Sequence, residues 1–130
     1  MVLPDTSVWV DFARGGTTGR AAGLHDLLDG GEVATCGPVA AELLAGVEGE
    51  VAERMSAMLA SLPWADLTPQ AWRDVGLAAR HLRKAGKTVP LTNLTIAVAA
   101  GRAGYALWSF DSDFERIQPA IDDLVLYATN

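Results

Sequence analysis

Apolar and polar positions alternate between strand-like and helix-like spacing along the whole chain. Val2 to Pro4 reads as a short strand, and from Ser7 the run Val8-Trp9-Val10-Asp11-Phe12 reads as a helix, so Asp5 stands at the junction. After a loop over Arg14 to Gly19, the segment Arg20 to Leu28 is predicted helical and is stopped by Asp29-Gly30-Gly31. Glu32 to Cys36 is a second short strand. Gly37-Pro38 breaks it and opens a helix, because proline is well placed in a first helical turn. Along that helix Val39, Ala40, Leu43, Leu44 and Val47 share one face, with Glu42 at its rim. A further helix, Glu50 to Leu62, has Val51, Met55, Met58, Leu59 and Leu62 at helical spacing and ends at Pro63-Trp64.

Thr68-Pro69 opens a longer helix to Ala85, with Trp72, Val75, Ala79 and Leu82 on its apolar stripe and Gly86 as its stop. Val89 to Thr92 leads into an apolar helix, Leu94 to Ala103, which Gly104 terminates. Tyr105 to Phe110 is the next strand, followed by Asp111-Ser112-Asp113-Phe114, and Leu124 to Tyr127 is the last. Strands that alternate with helices at crossover spacing predict an α/β fold with a mostly parallel sheet and helices on both faces.

Composition narrows the picture. A chain of 130 residues, half of them hydrophobic and one fifth charged, is expected to form a single globular domain. No apolar run approaches the roughly 20 residues that span a bilayer, and the start lacks the pattern of a signal peptide, so a cytoplasmic location is expected. The lone Cys36 reads as a buried small hydrophobe, and His25 and His81 as isolated residues without partners at metal-ligand spacing. A net charge of −6 argues against broad electrostatic attraction to nucleic acid. It leaves room for a local basic surface, and Arg80, Arg83, Lys84 and Lys87 cluster at one helix end, as RNA contacts or as solvated charges that suit the helix dipole.

Candidate chemistry rests on acids. Asp5 follows the first strand, Glu42 lies in the first turns after the second, and Asp111 and Asp113 follow a late one. Parallel strands would bring them to one sheet edge, where ligands of open α/β sheets bind. Carboxylates gathered without histidine or cysteine repel one another and call for a hard divalent cation, magnesium or manganese. Such an ion keeps bound water that can be activated for in-line attack on a phosphodiester. Each acid taken singly also has a simpler reading as a helix cap.

Four stretches carry a resemblance: Asp5-Thr6-Ser7-Val8-Trp9, the run Pro38 to Gly46, the run Pro90 to Ala97, and Ser109 to Phe114. In order and interval they resemble the motifs of PIN-domain ribonucleases, and more narrowly the VapC-type toxins of bacterial toxin–antitoxin pairs. The resemblance implies a PIN-like three-layer sandwich, a mostly parallel central sheet flanked by helices. It also implies an Mg²⁺- or Mn²⁺-dependent endoribonuclease that forms a homodimer and is inhibited by a cognate VapB-type antitoxin. Carried over by position, Asp5, Glu42, Asn93, Asp111 and Asp113 are the catalytic and metal-ligating set, with Thr6 and Ser109 as supporting hydroxyls.

One position departs from the pattern, since the family has an aspartate where this chain has Asn93. An amide oxygen can ligate a hard cation but brings no charge and cannot act as a base, so metal affinity and rate are both expected to fall. The chain then reads as a weakened or silenced form, by nature or by deliberate substitution; Asn93 also suits a helix N-cap. Two further readings stay open: a non-catalytic PIN-fold module that binds antitoxin or RNA, and a receiver-like signalling domain. The latter is weakened by the absence of an acid pair after the first strand and of a lysine after a late one. The helices Glu50 to Leu62 and Thr68 to Ala85 either expose an apolar groove for an antitoxin helix or use both stripes in the domain's own core.

Overall fold

The computed structural model describes residues 1–129. Its elements are β1 (Val2–Pro4), α1 (Thr6–Gly15), α2 (Leu24–Asp29), β2 (Thr35–Cys36), α3 (Gly37–Ala45), α4 (Gly49–Ser61) and β3 (Trp64–Ala65). They continue with α5 (Pro69–Lys84), α6 (Leu91–Ala103), β4 (Ala106–Trp108), α7 (Asp113–Ile117), a 3-10 turn (Gln118–Ala120) and β5 (Val125–Leu126). All strand pairings are parallel, in the order β1-β4-β5, with β2 paired to β3. An isolated parallel bridge pairs Val2 with Val33, on the segment that leads into β2. The expected α/β fold with a parallel sheet is present.

Helix α6 fills the middle of the molecule. Leu94 to Gly101 are all buried, and the helix packs against α3, α5, α7 and strands β2 to β4. A helix buried on every side must be apolar on every side, which is why it shows no single apolar stripe. Small residues allow close packing: an added Cβ at Gly101 would stand 2.5 Å from a carboxylate oxygen of Asp123. Gly104 ends the helix in the left-handed conformation (φ 74°) that glycine adopts without penalty.

Several local expectations are corrected. The helix expected over Arg20 to Leu28 is confined to Leu24–Asp29, and the strands are two or three residues long. Trp64, read as part of a helix stop, belongs to β3, and α7 follows Asp111-Ser112 directly. Val75 and Leu82 face the core as expected and Ala79 packs at its edge, but Trp72, expected on the same stripe of α5, is 51% exposed, and Ala71 and Ala78 are buried beside them. The difference is at Trp72, whose bulk lies outside while the small Ala71 takes the buried place. In α4, Leu59 is buried and Met55, Met58 and Leu62 pack against the core, so most of that stripe serves the domain itself. Among the described residues no helix is long and apolar enough to cross a membrane.

Cys36 has no exposed surface, and burial pushes its thiol up to about 11. It is the small core residue the sequence suggested. Leu107, 1% exposed in the central strand β4, tests the packing. Leu107→Ala should cost about 3 kcal/mol, read in calorimetry as a loss of about 10 °C in Tm.

Candidate active site

Asp5 is set by the ladder that precedes it. Pro4 pairs with Trp108, and the Asp5 amide donates to the Trp108 carbonyl at 2.9 Å, so the chains leave β1 and β4 side by side. Asp5 then caps α1, accepting from the Val8 amide at 3.3 Å. The same carboxylate accepts from the Ser7 hydroxyl at 2.5 Å and from the Ser109 hydroxyl at 2.5 Å. The capping reading holds, and the same carboxylate also meets Ser109 across the two strand exits. Burial pushes the Asp5 carboxyl above its ordinary 3.8, while the donors Ser109, Ser7 and Val8 act in the opposite direction.

The other acids are reached through hydroxyls and amides. Ser109 Oγ accepts from the Asp111 amide at 2.9 Å, and Asp111 Oδ1 accepts from the Asp113 amide at 2.9 Å. Thr6, next to Asp5, donates to Glu42 Oε1 at 2.9 Å, which ties α3 to α1. Asn93 lies in the first turn of α6, and its Nδ2 donates to Asp111 Oδ2 and Asp113 Oδ2 at 3.3 Å each. Pro90, not Asn93, is the N-cap of α6, so the capping alternative for Asn93 is not what the helix uses. All five residues proposed from sequence, with Thr6 and Ser109, thus lie in one hydrogen-bonded neighbourhood beyond the carboxyl ends of β1 and β4.

Two contributors were not anticipated. Ser7 donates to Asp5 and accepts from the Phe110 amide at 3.1 Å, locking the two strand exits together. Its only sequence signal was its place two residues after Asp5. Arg116 donates from Nη1 to Asp113 Oδ1 at 3.2 Å and from Nη2 to the Thr88 carbonyl at 3.4 Å. Its signal was the i, i+3 spacing from Asp113 on α7. Of the basic cluster, Arg80, Arg83 and Lys87 line a cavity of about 460 Å³ between the end of α5 and the start of α6, while Lys84 is not part of its lining.

Four carboxylates and an amide make an all-oxygen donor set of the kind hard divalent cations prefer. Among the described residues no three of these carboxylates bring an oxygen each within 4.8 Å of one another. Asn93 donates between two of them, as a neutral group that relieves their repulsion. The group that does meet that spacing is His25, Asp26 and Asp29, exposed on α2, so His25 is not isolated; it pairs with Asp29 at 3.4 Å.

A sequence profile described as PIN domain matches residues 2–118. The chain belongs to the PIN-domain family. This PIN domain superposes on VapBC from Salmonella typhimurium, solved bound to DNA, with a TM-score of 0.73 at 20% identity, covering 98% of each chain. It matches VapBC2 from Rickettsia felis, bound to a promoter DNA fragment, with a TM-score of 0.72 at 22% identity over 100% of both chains. VapBC-1 from nontypeable Haemophilus influenzae gives 0.71 at 16% identity, covering 98% of this chain and 97% of that one. At these identities the likeness establishes the shared fold. No curated protein sequence matches the chain.

A buried carboxyl held above its ordinary value binds its proton more tightly in the folded chain than in the unfolded one. Its effect on stability is therefore most favourable below the unfolded value near 3.8 and is lost as pH rises through the folded value. Asn caps helices as well as Asp does. In EDTA, the Tm of Asp5→Asn relative to the parent should rise between pH 4 and pH 7; a pH-independent difference would contradict the burial penalty.

Proposed function

We propose that this PIN domain is the VapC-type toxin of a toxin–antitoxin pair, a metal-dependent endoribonuclease weakened at Asn93. The observation that supports it is that Asn93 bridges Asp111 and Asp113, while Ser109 joins Asp111 to Asp5 and Thr6, beside Asp5, holds Glu42. The acids would hold Mg²⁺ or Mn²⁺, with Asn93 offering its amide oxygen only after turning its Nδ2 away from Asp111 and Asp113. When bound, such an ion supplies polarisation of the phosphodiester and of water. Ser7 and Ser109 keep the buried Asp5 carboxylate oriented, Thr6 does the same for Glu42, and Arg116 restrains Asp113.

Hydrolysis in this reading releases the 3′-oxygen and leaves a 5′-phosphate, without using the 2′-hydroxyl as nucleophile. The partner would be a VapB-type antitoxin, in keeping with the VapBC complexes that share the fold. A homodimer and a cytoplasmic location belong to the same proposal. A specific observation favours a second reading for this chain: Asn93 already bridges Asp111 and Asp113 as a neutral donor, which suits a non-catalytic module that binds antitoxin or RNA.

Cleavage of total bacterial RNA by this chain and by Asn93→Asp, each with Mg²⁺, Mn²⁺ or EDTA, separates the two. Metal-dependent cutting should rise at least about tenfold in the Asp form, since even outer-shell changes at metal sites cost that much. The Asp form should also lose stability in EDTA and regain it as the metal is added. Absence of cutting by either folded protein would favour the binding module. If the Asp form cuts, a substrate with 2′-deoxyribose at the scissile position should still be cleaved when it binds; an obligatory 2′-hydroxyl would overturn the mechanism.

A further inference from the structure

Four of the ten lysines and arginines lie between positions 80 and 87 in a chain of net charge −6. Among the described residues none of these four pairs with an acid, whereas Arg20, Arg102 and Arg116 do. Unpaired like charges held close together are unfavourable unless an anion or solvent compensates them. Arg80, Arg83 and Lys87 line the cavity of about 460 Å³, and no Asp or Glu does. The start of α6 adds to this: no side chain caps it, so the amide groups of its first turn and the positive end of its dipole are available to an anion.

The cavity borders the carboxylate site. Arg116 reaches the Thr88 carbonyl at the cavity rim with one nitrogen and Asp113 with the other, so one guanidinium spans the interval. Leu91, 59% exposed on the rim, stands two positions before Asn93. A cluster of carboxylates repels a polyanion and cannot by itself retain one. A strand lying across it therefore needs a separate cationic anchor within reach.

We infer that the Arg80–Arg83–Lys87 cavity holds the sugar–phosphate backbone of single-stranded RNA beside the bond presented to the carboxylates. This rests on the ribonuclease reading for its orientation, but binding can be read without any chemistry. The cations would track phosphates while the apolar rim at Leu91 lies under a ribose or base. Lys84, outside the lining, takes no part.

The test is fluorescence anisotropy in EDTA with a labelled single-stranded RNA of about a dozen nucleotides. It compares the parent, Arg80→Gln/Arg83→Gln/Lys87→Gln, and the control Arg54→Gln/Arg73→Gln, which removes two cations elsewhere on the surface. The triple variant should bind at least about tenfold more weakly at 0.15 M salt, and its slope of log affinity against log salt should be shallower by about 2, near 0.7 for each lost contact. The control should stay close to the parent. Parent-like binding by the triple variant, an equal loss in the control, or no RNA binding by the parent at low salt would each overturn the inference. So would a triple variant that loses a polyglutamate peptide but keeps RNA, which would mark a protein interface. If Asn93→Asp fails to cut while the triple variant still loses RNA, the ribonuclease reading falls and the cavity stands. If Asn93→Asp cuts and the triple variant binds RNA normally, the reverse holds.

Discussion

The arrangement depends on the parallel register of β1 against β4. Pairing Pro4 with Trp108 brings the residues after each strand, Asp5 and Ser109, face to face across more than a hundred positions of sequence. A buried carboxylate is costly unless donors surround it. Here the donors come from both strand exits, Ser7 and Val8 on one side and Ser109 on the other. A one-residue slip would turn every alternate side chain to the other face and leave Asp5 desolvated without Ser109. The core and the polar cluster are thus held by the same ladder: Leu3 and Leu107 bury themselves in it, and the hydrogen-bonded residues Asp5 and Ser109 lie just beyond.

Helix α6 connects the site to the rest of the molecule. Its buried middle fixes its axis, and its first turn delivers Asn93 to Asp111 and Asp113. The neutral amide changes the electrostatics of that delivery. An aspartate at the same point would face two carboxylates and need a cation to stay there; asparagine supplies hydrogen bonds and needs none. Asparagine therefore suits the metal-free geometry and brings no charge of its own to Asp111 and Asp113, two consequences of a single neutral amide.

Charge is divided unevenly over the surface. Acids collect at the strand exits, unpaired bases collect where α5 ends, and Arg116 joins the two regions by holding Asp113 and Thr88 at once. Net charge averages over this division, which is why a chain of −6 can carry a strongly basic cavity.

Much of this was legible from local patterns. Hydrophobic spacing located the longer helices, because burial of one face needs only a 3.6-residue repeat within a single segment. The order of strand-ending acids and the four motifs indicated the family and the five residues that gather. What the sequence could not specify depends on pairing across distance. β3 exists only because Trp64 and Ala65 meet Thr35 and Cys36, and Trp72 is exposed only because α5 turns Ala71 and Ala78 into the core. Ser7 and Arg116 acquire roles through partners 103 and 28 positions away. The sequence by itself determined which residue types stand at each strand exit and helix start. Tertiary structure alone decided which of them touch, because hydrogen bonds and desolvation act over a few ångströms of space, whatever the separation along the chain.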